Sequence, residues 1–135
     1  MMITYKVIGL MIGVFVSASA GLLAVNHMID TTHVDVISPQ DSDFHKEIVN
    51  NANEVDNAVH ATLKGQENPA DTIYVVNDHI QATVHDATYS ADQRQINNRY
   101  KSYLNAAYTT TIDYVAKTGN LTNDVNAMNE KKLKI

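Results

Sequence analysis

The sequence predicts an all-α protein: an N-terminal transmembrane or signal helix, then an antiparallel three-helix bundle with a short C-terminal helix or tail. Three observations predict it. Residues 7–25, VIGLMIGVFVSASAGLLAV, carry no charge. Beyond them, apolar residues recur at three- and four-residue steps in three segments, each opened by a capping residue. The strict apolar-polar alternation of strands is nowhere sustained. On this reading the 135 residues divide into an anchor or signal (1–25), a linker (26–37), the bundle (38–119) and a short helix or tail (120–135).

As a helix, rising about 1.5 Å per residue, the uncharged run reaches about 28 Å, close to the ~30 Å hydrocarbon thickness of a bilayer. Lys6 and the amino terminus precede it, while His27, Asp30 and Asp35 follow. The positive-inside rule then places the N-terminus in the cytoplasm and the remainder outside the cell membrane, as a single-pass protein. Ala18-Ser19-Ala20 fits a small-x-small cleavage site, so a secreted product beginning at Gly21 is the alternative. A retained anchor is favoured because the apolar run continues through Val25 and only one Lys precedes it. Gly9, Gly13, Ser17 and Gly21 recur every fourth residue, giving one face small enough for close helix-helix contact in the membrane and self-association.

Residues 26–37 are polar and punctuated by Thr and Asp, as a linker would be. Ser38-Pro39 then supplies a cap and a first-turn proline for a helix whose stripe is Phe44, Ile48, Ala52, Val55, Val59 and Leu63, within an arc of roughly 100°. Gly65 ends it. Asn68-Pro69 opens a second helix, with Asp71 in its first turn and a stripe of Ile73, Val76, Ile80, Val84 and Ala87. Ser90-Ala91-Asp92-Gln93 has the form of a capping box. It predicts a third helix over 91–118, with Ile96, Tyr100, Tyr103, Leu104, Ala107, Thr111, Tyr114 and Val115 on one face and Gly119 as its stop. Thr122 is expected to cap a short fourth helix through Val125 and Met128 that ends in the basic KKLKI tail. Short connections between three such helices make neighbours antiparallel.

The composition narrows the function classes. The chain carries 15 acidic and 10 basic side chains, net −5, and the part beyond the apolar run is the more acidic because Lys6 lies before it. Such a surface repels phosphate backbones, so nucleic acid is not an expected partner. No Cys is present, which removes disulfides, thiolate metal sites and cysteine nucleophiles. No GxSxG, HExxH, GxxxxGK or GxGxxG occurs, and the protein is not expected to be an enzyme.

Six His residues raise the question of metal. His79 and His85, six apart, point about 120° away from each other on a helix, whereas helical ligand pairs need three or four. His27, Asp30, His33 and Asp35 of the linker are the better set, yet as solvated side chains they do not amount to a site, and no metal or cofactor is assigned. The DSDFH stretch at 41–45 begins like a calcium loop but has Lys46 where glycine is required and Ala52 where glutamate is required. Asn120-Leu121-Thr122 fits a glycosylation acceptor only in a eukaryotic secretory setting. On the third helix Tyr100, Tyr103 and Tyr114 belong to the core stripe, and Tyr108 at its margin is the candidate partner surface.

These readings converge on a membrane-tethered, extracytoplasmic helical bundle, bacterial or from a phage, that acts through contacts with an unidentified protein. The alternative is a cleaved, secreted helical protein that binds a ligand or metal. The layout is similar to that of small bitopic envelope proteins, phage spanin subunits and division-complex components among them, a likeness of plan alone.

Overall fold

The computed structural model describes residues 33–37 and 42–135. They form four helices: α1 Asp43–Leu63, α2 Pro69–Ala82, α3 Ala91–Ala116 and α4 Leu121–Leu133, with no strand among the described residues. Residues 33–37 make an irregular strap whose Ile37 N–H donates to the Leu133 carbonyl at 3.1 Å. Among the described residues no helix is long and apolar enough to cross a membrane, and the run at 7–25 lies outside them.

Each helix begins where a side chain accepts a free backbone N–H. Ser42, not Ser38, caps α1: it is in extended conformation and its hydroxyl accepts from His45 N at 3.1 Å. The Ser38-Pro39 signal therefore opens the helix four residues early. Asn68 accepts from Ala70 N, and Pro69 takes the first position of α2. Ser90 and Gln93 complete the reciprocal capping box of α3. For α4 the cap is Asn120 rather than Thr122, because Asn120 is extended and its side-chain oxygen reaches Asn123 N.

The ends are equally specific. α2 stops at Ala82, where the Thr83 hydroxyl donates to the Ile80 carbonyl at 2.7 Å and the Thr83 carbonyl accepts from Asn97 Nδ2 on α3. The expected stripe of α2 consequently ends at Ile80, and Val84 and Ala87 lie exposed in the turn that follows. Lys117 closes α3 in the left-handed region (φ 56) and Gly119 follows at φ 67. A side chain at Gly119 would meet the Asp113 carboxylate.

Pairs between neighbouring helices run in opposite order along the chain. The Thr62 hydroxyl meets Thr72 at 2.6 Å while Glu54 lies against His79; further on, His79 meets Tyr100 while Thr83 meets Asn97. Helix α3 packs against each of the other three. The shared core is built from Val55, Val59 and Leu63 of α1, Val75 and Val76 of α2, Tyr103, Leu104 and Ala107 of α3, and Val125 and Met128 of α4. The fourth helix is thus part of that core. Ile135 is buried with it, its oxygen accepting from His45 Nε2 at 2.9 Å. Val115, expected on the core stripe, is half exposed. Ala52 and Asp56 lie level with Tyr103, and α1 ends at Leu63, so the last turn of α3 has no α1 beside it.

Removing the α3 cap with Ser90→Ala should cost about 1 kcal/mol of unfolding free energy. Urea denaturation with far-UV circular dichroism measures it, and an unchanged midpoint would contradict the capping box.

Candidate functional site

The stripe of α1 is flanked by two polar residues one turn apart, Asp56 and His60, which share a face because they are four residues apart. Both are buried, Asp56 at 0 % and His60 at 1 % exposure. A buried carboxylate is stable only where donors replace its lost water. Three other elements supply them. His33 Nδ1 of the strap lies 2.7 Å from Asp56 Oδ2, and Lys132 Nζ of α4 donates to the same oxygen at 2.9 Å. The Tyr103 hydroxyl of α3 donates to Oδ1 at 3.2 Å. His60 Nε2 faces Oδ1 at 3.2 Å but off the line of a hydrogen bond, so neither ring nitrogen of His60 completes one. The His33 and His60 rings lie 4.2 Å apart, tilted by 44°.

Burial alone would raise the Asp56 acid. The contacts of His60 and His33 and the charge of Lys132 outweigh it and hold the carboxyl well below the usual range. Tyr103 responds in the opposite sense: burial, then the adjacent Asp56 charge, raises its phenol well above the ordinary value. The hub thus holds an anionic carboxylate, an ammonium and a neutral phenol. His33, Asp56 and His60 can each offer one ligand atom, all within 4.8 Å of one another, the one such group among the described residues.

A second polar contact lies between α1, α2 and α3. His79 Nδ1 is 2.9 Å from the Tyr100 hydroxyl and its Nε2 is 3.6 Å from Glu54 Oε2, beside a groove of about 330 Å³ lined by Phe44, Glu47, Asn51, Tyr89 and Asn97 among others. Burial lowers the His79 pKa against the pull of Glu54 and Asp78, which favours the neutral imidazole as the hydrogen-bond partner of the Tyr100 hydroxyl. Two carboxyls at turns are also perturbed. Glu67 is buried with Oε1 unpartnered, and burial followed by repulsion from Asp71 pushes it up to about 7. Asp124 is pushed up to about 6 by burial and by a hydrogen bond and charge from Asp113.

Of the residues singled out from sequence, Gly9, Gly13, Ser17 and Gly21 lie outside the described residues, as do His27 and Asp30. His33 meets Asp56 and His60, while Asp35 and His85 are exposed. Tyr108 is exposed on α3 at 37 %. Asp56, His60 and Lys132 were not singled out. The available signal was their position: Lys132 continues the three- and four-residue step of Val125 and Met128, and Asp56 follows Ala52 by four.

Comparison with family models, curated proteins and solved structures gives no match to this chain.

Asp56→Ala would strand Lys132 and should cost about 3–5 kcal/mol in urea unfolding, more than an ordinary polar deletion. In the intact protein the unfolded chain takes up the Asp56 proton before the folded one does, so the hub's contribution is present above the ordinary carboxyl range and lost as pH falls below it.

Glu67 works in the opposite sense. The folded state holds its proton up to about 7, the unfolded state only to the ordinary 4.5, so stability declines as pH rises through that window. Glu67→Gln should flatten the decline measured by denaturation between about pH 5 and pH 8 while leaving the acid limb in place.

Proposed function

We propose that this protein is a membrane-tethered helical bundle on the outer side of a bacterial cytoplasmic membrane, encoded by the bacterium or a phage, and that it works by binding another protein rather than by catalysis. The observation that carries the reading is the uncharged run at 7–25, with Lys6 before it and acidic residues after it. The strap adds a mechanical argument. From Val25 to His33 the chain extends at most about 28 Å, and His33 is bonded to the bundle through Asp56, so a retained anchor would hold the bundle close to the bilayer surface. Apolar side chains exposed on the bundle, Tyr74 and Val84 at the α2 side and Tyr108 on α3, are the contacts such a partner would cover. The small-residue face of Gly9, Gly13, Ser17 and Gly21 would pair two copies within the membrane.

The alternative is a cleaved, secreted binding protein, and the observation that favours it is the small-x-small motif Ala18-Ser19-Ala20 within the apolar run.

Fractionation and mass measurement separate the two. The tethered reading expects full-length protein in the membrane pellet, with the bundle digested by protease added to protoplasts. A soluble product starting at Gly21 would establish secretion instead, and a bundle protected until lysis would overturn both. Gly13→Ile in a membrane two-hybrid fusion of residues 1–26 should reduce the association signal to that of a monomeric span.

A further inference from the structure

We propose that His33, Asp56 and His60 bind a divalent transition-metal ion of the zinc class, and that the ion staples the strap to α1. The donor set is two imidazoles and a carboxylate, the chemistry that zinc takes at sites with an open position. Two of the donors are fixed on one helix face by their four-residue spacing, and the third arrives from the strap. Their ligand atoms lie within 4.8 Å of one another, and seating an ion at the usual bond lengths of about 2.0–2.2 Å requires His33, on the exposed strap, to shift by about an ångström.

The independent observation is His60. Its side chain is 1 % exposed, it faces the other two donors, and neither ring nitrogen has a hydrogen-bond partner. Buried polar atoms are seldom left so. An ion between His60, Asp56 and His33 would give the ring a bond that the surrounding protein does not. Access is through His33, whose side chain is 46 % exposed, and water can fill the remaining position from that side.

Lys132 is the competitor. Its ammonium holds Asp56 Oδ2 at 2.9 Å, and that charge opposes a second cation on the same carboxylate. The metal and Lys132 therefore compete for Asp56, which keeps affinity moderate. With the ion in place, the strap would be tied to α1 by coordination rather than by one hydrogen bond. The inference holds whether the N-terminal run is kept or cleaved, because all three donors follow it.

The test uses the full chain in detergent, stripped with chelator, dialysed and titrated with Zn²⁺ by calorimetry, with thermal unfolding and cobalt(II) absorption in parallel. Expected are one saturable equivalent in the micromolar range, a raised Tm that chelator reverses, and the visible bands of a low-symmetry cobalt site. His33→Ala, a change on the exposed strap that removes one of the three donors to Asp56 and leaves Tyr103 and Lys132 in place, should weaken binding by about tenfold or more. Lys132→Met should tighten it by about tenfold, the scale of one charged hydrogen bond removed from competition. Absence of saturable binding in both the unaltered chain and Lys132→Met overturns the proposal. So does undiminished affinity in His33→Ala, which would place the ion at other histidines.

Discussion

The carboxylate of Asp56 is the constraint around which the described structure is arranged. An ionised group with no solvent exposure must be surrounded by donors, and the chain brings one from each of three other elements: His33 from the strap, Tyr103 from α3 and Lys132 from α4. None of these contacts is local, the separations along the chain being 23, 47 and 76 residues. The charge pair can therefore form only when the helices are in their final register. An apolar pair in the same place would tolerate sliding by part of a turn, whereas the oxygen atoms of one carboxylate do not.

The same logic extends through the core, where polar side chains are buried beside the apolar ones. Thr110 and Thr111 are buried, and each hydroxyl donates to the carbonyl one turn back on its own helix. Thr72 donates across to the Ala58 carbonyl and meets Thr62, and Asn97 satisfies the carbonyl that α2 leaves open at Thr83. The Thr72 and Asn97 bonds join helix to helix, while packing of Val, Ile, Leu, Ala, Tyr and Met side chains supplies the apolar burial.

Protonation enters at the turns as well as at the hub. Glu67 and Asp124 are carboxyls raised by burial and by the charge of a neighbouring carboxylate, while Asp56 is depressed by its partners. Their contributions to stability run in opposite directions with pH: that of Asp56 is lost in acid, and that of Glu67 is lost as its carboxyl ionises.

Much of the helical plan was readable from local signals. Helix caps and apolar periodicity act within a few residues of one another, so Asn68-Pro69, the Ser90 capping box and the stripes of α1 and α3 were visible in the sequence by itself. Where the sequence points to Ser38 and Thr122 as caps and to an α2 stripe through Val84, the fold instead uses Ser42 and Asn120 and ends α2 at Ala82. The hub was beyond such reading. Asp56 and His60 sit just past the apolar arc of α1, where a polar residue ordinarily faces water, and Lys132 sits in a basic tail that looks solvated. Sequence determined which residues become helical and which face of each is greasy, because those properties are set by neighbours a turn away. Tertiary structure decided that α1 is covered on a wider face, by the strap and α4 as well as α3, because burial is set by elements distant in the chain.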